Sequence, residues 1–497
     1  MSTRKAYSAA PPAEARDSSA QRSSLALAPA WERLDSVILL AAVVCALLLY
    51  LFRLDQPATY IYDEVYHAYT AARLAEGNPD PYMYDTQVPP EDKERFRASY
   101  EWSHPALAKL PMQAGILLFG DTPFGWRTAS AIFGAFGIGI MYALGRTFFN
   151  REVALIGTGL LLFDGLWFVQ SRTAMNDIFL VCFLMLAYLV FRQYLAERSR
   201  RRWRSLWLTG AALGLAIATK WSALYSIGLL GLLGLGREIY LEAVTPRASL
   251  SQRLGGLIGS GVVLAGALLA LPALLYLAGY VQFFWMGHTW AQWTALQRQM
   301  WWYHSNLTAC HDWASPWWTW PLMLRPVWYH VTRFDDGTVA NTFALGNPLI
   351  WWLFLPAIVF TAWRWRRSGY RDASLGLILV GFLGQWLPWA ISPRISYLYH
   401  MLPSVPFGVL AIAASAVYLR SRRISLGGTS FQGRRLVHGY LALVVLVFAF
   451  FYSHYSALPT SRIYSAAHYW LPSWQPGIEW PLRCPQPTFL SRLLSLL

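Results

Sequence analysis

The chain has 497 residues, of which 56% are hydrophobic, 16% aromatic and 13% charged, with a formal net charge of +15. Soluble domains carry about a quarter charged residues, so this composition excludes a soluble enzyme, a disordered chain and a disulfide-stapled secreted domain. Apolar runs of the length needed to cross a bilayer, about 20 residues, recur from Val37 to Phe451, and the expected fold is an all-α polytopic membrane protein.

Residues 1–33 are rich in Ala, Ser, Pro and Arg and lack apolar periodicity, which predicts a disordered cytoplasmic arm. The apolar segment that follows is too long for a cleavable signal, and no small-residue cleavage site succeeds it. Helical spans are expected near 36–54, 128–145, 153–170, 175–194, 205–219, 221–236, 254–279, 347–363, 373–391, 399–419 and 437–456. An odd number of spans with the N-terminus in the cytoplasm leaves the C-terminus outside. Two short spans share 205–236, and parity requires both, because the basic runs on either side belong on one face.

This threading puts 25 of the 41 Lys and Arg inside, with 9 of the 26 acids, leaving the inner face +16 and the outer face −1. That is the positive-inside pattern. The basic balance is topological, and no nucleic-acid partner is expected. The chain divides into the arm, a catalytic membrane module over 34–279 containing an outward loop at 55–127, a Trp-rich outward loop at 280–346, a C-terminal module of four-helix type over 347–456, and an outward tail at 457–497.

In the first outward loop, Asp63 and Glu64 stand among Tyr60, Tyr62 and Tyr66. A low dielectric and mutual repulsion hold a proton on such a pair, and a carboxylate is a suitable base for a hydroxyl nucleophile. The alternative is a solvated acidic turn capping an interfacial helix. Farther on, His104 and Lys109 flank the start of the apolar piece Leu107–Phe119, read as an interfacial helix whose N-terminus suits an anion. The alternative there is a Pro-initiated helix with a snorkelling Lys.

Arg127, Arg172, Lys220 and Arg394 each fall at the outward end of an expected span. Cations there run against the charge bias and mark a pathway or partner. Together with Lys109 they would make a phosphate site; as plain ion pairs their partners would be Asp164 and Asp177. The second outward loop holds ten of the 26 tryptophans, either an interfacial belt or a wall for sugar or lipid.

Cys310 and Cys484 both fall outside, where a disulfide tying tail to loop is expected. His304, His311 and Asp312 share a loop at a spacing that matches no strong metal pattern. Asn306-Leu307-Thr308 is a glycosylation sequon that matters only in a host that glycosylates there.

Several segments resemble the protein O-mannosyltransferase family, in family order from about residue 55 to 475. Asp63-Glu64 with Val65-Tyr66-His67 is similar to its first-loop acid pair. Ser103-His104-Pro105-Ala106-Leu107-Ala108-Lys109 looks like its His-Pro-Pro-Leu-Gly-Lys element, with Ala106 and Ala108 as departures. Gln170 to Asp177, Ala218-Thr219-Lys220-Trp221, Trp320 to Pro326, Tyr397 to Pro403 and Trp470 to Trp474 resemble further family segments. The large loop is too short for the soluble sugar-binding-like insert of fungal and animal members, so the chain looks like the smaller bacterial form.

The resemblance implies a many-helix (C-type) glycosyltransferase architecture in the cell membrane. It implies an active site on the outer side and a polyprenyl-phosphate mannose donor. The implied acceptor is a Ser or Thr hydroxyl of an exported polypeptide, met at the translocon. Asp63 would be the base, Glu64 would tune it or hold the acceptor, and the cations with His104 would bind the donor phosphate. Direct displacement would invert the anomeric carbon, with no metal or other cofactor. Two competing readings are a related transferase acting on a glycolipid or polysaccharide, and a lipid or sugar transporter. The near absence of polar residues deep in 37–52, 254–280 and 437–451, and of any internal repeat, argues against the transporter.

Overall fold

The computed structural model describes residues 30–245, 249–426 and 429–484. The expected arm, apart from its last few residues, and the end of the tail lie outside the described residues. The first helix, α1 (Arg33–Leu51), is apolar almost throughout, and Val37, Leu40 and Leu48 point outward, over 60% exposed. An exposed apolar face of this size has lipid as its natural solvent. At its start the buried Asp35 accepts from Arg151 Nε (2.9 Å), Arg146 Nε (3.1 Å) and Tyr142 Oη (2.8 Å). That fixes one end of the bundle and leaves the other end for the loop that follows α1.

The outward loop contains α2 (Glu64–Ala75), α3 (Pro90–Phe96) and α4 (Lys109–Phe119). The long α5 (Pro123–Phe148) begins at a Thr122 cap, whose hydroxyl accepts from Gly125 N at 3.2 Å, with Pro123 in the first turn. It packs against α1, α4, α6 (Arg151–Leu162) and α8 (Asp177–Ala196). Between α6 and α8 the chain breaks at Asp164, which caps the short α7 (Gly165–Gln170) through Trp167 N at 2.9 Å. Close approach of α7 to α5 requires Gly134, since a Cβ there would lie 2.1 Å from Ser171 Oγ.

A helical hairpin follows, α9 (Arg202–Ile217) and α10 (Ala223–Val244), with Lys220 and Trp221 at its turn. Next comes a helix over Leu250–Ala278, interrupted by a π turn at Gly266–Ala270 just ahead of Pro272. The Trp-rich loop folds into short helices, of which Trp290–Asn306 is the longest, and a hairpin of β1 (Val327–Arg333) and β2 (Thr338–Ala344). A strand at Thr460–Ser461 adds to β2, giving a three-stranded antiparallel sheet beside Tyr62 in the loop that follows α1. Four further helical spans complete the frame, over Pro348–Arg367, Ala373–Ile391, Leu398–Arg420 and Gly433–Ser456.

Among the described residues, eight helices are long and apolar enough to cross a membrane. At the other three expected positions the chain is also helical. There it is broken at Asp164, short over Arg202–Ile217, or charged at its end by Arg237, Glu238 and Glu242.

Candidate active site

Tyr62 adopts a left-handed backbone (φ 45°), rare for a bulky residue. Its ring is held flat against Tyr329 of β1, with centroids 4.3 Å apart, and edge-on to Tyr397 and Tyr399. The turn it makes places Asp63 at the N-cap of α2. The side chain of Asp63 nevertheless caps nothing. It faces a cavity of about 520 Å³ and accepts from Tyr399 Oη at 3.3 Å. Burial pushes its carboxyl up to about 7, against the Tyr399 hydroxyl and the Lys220 ammonium, which favour the charged form. It is a carboxylate poised to exchange a proton near neutrality.

Glu64 has the opposite surroundings. It is fully buried and accepts four hydrogen bonds: from Arg127 Nε and Nη2 (2.8 Å each), Ala174 N (3.0 Å) and Ile61 N (3.0 Å). Nothing remains for an acceptor substrate, and it does not face the cavity. Arg127 spends its other donors on the carbonyls of Leu54 (3.1 Å), Pro57 (2.8 Å) and Thr59 (2.9 Å). A guanidinium has five N–H groups, and all five are taken. The expectations that Arg127 binds phosphate and that Glu64 holds the acceptor are corrected: together they clamp the loop that carries Asp63.

Arg172 is corrected likewise. It donates to the carbonyls of Tyr50 and Phe52 (2.6 Å each) and Arg53 (2.7 Å), the negative end of α1. Lys109 is 2% exposed, pairs with Glu101 Oε2 at 2.6 Å and donates to His104 O at 3.3 Å, so it supports the cavity wall without reaching the cavity.

Lys220, Arg394 and His104 do line the cavity. Lys220 Nζ donates to both oxygens of Asp177 (2.9 and 3.1 Å) and lies over the Tyr399 ring. Arg394 donates to His304 Nδ1, and His304 in turn donates from Nε2 to Ser103 O at 2.7 Å. His104 Nδ1 meets Glu101 Oε1 at 2.9 Å. Burial holds His104 below the usual imidazole range, outweighing the neighbouring carboxylate. His104 is therefore a neutral hydrogen-bonding group here, not a cation. Among the described residues Asp164 pairs with no cation; its second oxygen accepts from Asn347 N and Trp351 Nε1.

Glu101 has no signal in the sequence reading, yet it organises this wall. Despite burial, which pushes its carboxyl up, Lys109 and His104 hold it well below the usual range. The aromatic cage of Tyr62, Tyr329, Tyr397 and Tyr399 was also missed as a unit, although two of its members lie in a segment quoted for its resemblance. A second hollow, apolar and about 440 Å³, lies on the other side of Lys220-Trp221. Ile217, Trp221, Leu224, Leu268, Pro272 and Tyr276 are among its walls. Cys310 and Cys484 are disulfide-bonded, and Cys310 and His311 form part of the rim of the central cavity. His311 Nδ1 accepts from Trp313 N at 3.2 Å.

Residues 40–289 match the family model described as dolichyl-phosphate-mannose-protein mannosyltransferase. Residues 289–474 match the C-terminal four-transmembrane region of protein O-mannosyltransferase. The polyprenol-phosphate-mannose–protein mannosyltransferase of Mycolicibacterium smegmatis is 30% identical over 436 residues, covering 75% of this chain and 82% of that protein. Its counterpart in Mycobacterium tuberculosis is 29% identical over 440 residues, covering 75% and 81%. The chain also superposes on the Saccharomyces cerevisiae protein O-mannosyltransferase Pmt1–Pmt2 complex bound to the sugar donor. The TM-score is 0.73 at 15% identity, over 92% of this chain and 94% of that one. At that identity the likeness concerns the fold.

Proposed function

This chain belongs to the protein O-mannosyltransferase family, and from that premise we propose that it moves mannose from a polyprenyl-phosphate carrier to Ser or Thr hydroxyls of exported polypeptides. It is a multi-pass membrane glycosyltransferase, and the proposal places its reaction on the outer face of the cell membrane, where the threading by charge puts Asp63. Asp63 takes the hydroxyl proton as the hydroxyl oxygen attacks the anomeric carbon. The bond from that carbon to the phosphate oxygen breaks, its electron pair stays with the prenyl phosphate, and the anomeric configuration inverts.

The departing phosphate gains charge, and Lys220 and Arg394 are the cations on the same cavity as Asp63. Fixed positive charge aimed at a developing anion is a large source of rate. His104, neutral and anchored by Glu101, has its second ring nitrogen available for a sugar hydroxyl. The apolar hollow beyond Trp221 suits the prenyl chain. No step in this reading calls for a metal.

The observation that carries the proposal is the sharing of one cavity by a carboxylate with raised affinity for a proton and two cations, beside an apolar groove. Purified protein given polyprenyl-phosphate mannose and a Thr-containing peptide should yield mannosyl-peptide, identified by mass. Transfer to lipid alone, or none, would refute it.

A further inference from the structure

The central cavity adjoins further hollows. A second hollow of about 360 Å³ shares Tyr62, Cys310 and His311 with it and adds Asp312, Trp313 and Trp328. A third, of about 220 Å³, shares Trp328 with the second. It continues past Val331, Arg333, Arg462 and Tyr469. Linked through these shared residues, the three hollows mark a track from Asp63 to the small sheet, and none of them shares a lining residue with the apolar hollow walled by Trp221.

A defect in the sheet lays this track. β1 pairs with β2 through Trp328↔Phe343 and His330↔Thr342, leaving Tyr329 as an extra residue. A bulge shifts the alternation of side chains. Tyr329 thus turns inward onto Tyr62, while Trp328, Val331 and Arg333 line the same outer track. Rings of Tyr62, His311, Trp313, Trp328 and Tyr469 recur along it, a succession of small hollows that fits an extended chain better than a compact ligand.

The charged residues that line its far end are two arginines. Arg333 and Arg462 are exposed, and neither makes an ion pair among the described residues. The hairpin turn beyond Arg333 carries Asp335 and Asp336, which do not line the track, and Asp336 accepts from Thr338 N and Oγ1. Resting on the proposed function, we infer that this track is the acceptor path, and that Arg333 and Arg462 select polypeptides carrying an acidic residue at a fixed distance from the modified hydroxyl. An extended chain rises ~3.3 Å per residue, so the reach from Asp63 to the two arginines fixes which acceptor residue meets them.

The test uses the full-length protein with its disulfide intact, polyprenyl-phosphate mannose, and single-Thr peptides of neutral sequence. Each peptide carries either Asp or Lys at one of the fourth to eighth positions on either side. At low salt the best Asp peptide should have a KM at least about fivefold below its Lys counterpart, and the difference should shrink as salt screens it. The double variant R333E/R462E should reverse the order, an inversion that loss of folded protein cannot produce. Equal KM at every position, or a preference for Lys, overturns the path and leaves the activity standing. Absence of transfer to every peptide overturns the activity itself, and the path with it.

Discussion

Arg127 and Glu64 are joined by two hydrogen bonds of 2.8 Å, and neither residue is exposed to solvent. Glu64 is next to Asp63 in the chain, yet one carboxylate is locked and the other faces a cavity. The clamp sets where the loop lies, and the left-handed turn at Tyr62 sets which of the two acids points inward.

Breaking such a pair leaves a buried charge without its partner, at a cost of about 3–5 kcal/mol. Arg127→Met should therefore lower the thermal midpoint sharply, and Glu64→Gln less so. Donor KM in the surviving folded fraction should stay near that of the wild type. A stable Arg127→Met protein with donor KM raised tenfold would restore Arg127 to the phosphate site.

Asp63→Asn should reduce turnover by about 10²–10⁴, the range of a lost general base, without loss of membrane insertion. The sign of the pH effects follows from the raised affinity. Burial lifts Asp63 from 3.8 to about 7, so the base is ionised only above that pH. kcat/KM should climb tenfold per pH unit below 7 and level off above it. Folding favours the protonated carboxyl, so Asp63 costs stability increasingly as pH rises from about 4 through 7. At pH 8 the Asn variant should be as stable as the wild type or more so. A flat pH profile, or a strongly destabilised Asn variant, would contradict the proposed role.

Arg394→Gln should weaken donor use by about tenfold in KM and leave the thermal midpoint nearly unchanged. Arg394 bonds chiefly to His304 at the cavity edge and seals no buried pair. Steady-state kinetics at varied donor concentration separate the two effects. A variant with unaltered donor KM and kcat would leave Lys220 as the sole cation of the phosphate site.

The membrane frame was legible because lipid forces each span to be apolar, and so was the setting of Asp63 among tyrosines. The error over Arg127 and Arg172 has one physical cause. A cation at the outer end of a span needs a partner, and the sequence displays carboxylates but hides backbone carbonyls. Arg127 takes three such carbonyls and Arg172 another three. Glu101 was invisible for a related reason. A single acid in a polar stretch looks solvated until folding packs Lys109 and His104 onto it. The hairpin of β1 and β2 was concealed by the tryptophans around it, which read as an interfacial belt.

The disulfide allows a narrower prediction, because it is one of several fastenings of the tail. Arg325, 1% exposed, donates to the carbonyls of Asp312, Ser473 and Ile478 and stacks under Trp313. Reduction of Cys310–Cys484 therefore cannot release the tail as far back as Ile478. What it can loosen is the hydrogen bond from His311 N to Arg483 O (3.0 Å), which steadies the cavity rim. Cys310→Ser should abolish the mobility difference between reduced and unreduced protein and raise acceptor KM several-fold. Donor KM and membrane insertion should hold, since Lys220 and Arg394 are carried by other segments. Two alkylatable thiols at these positions in untreated membranes would remove the basis for this prediction, and an unchanged acceptor KM would show that the rim is held without the bond.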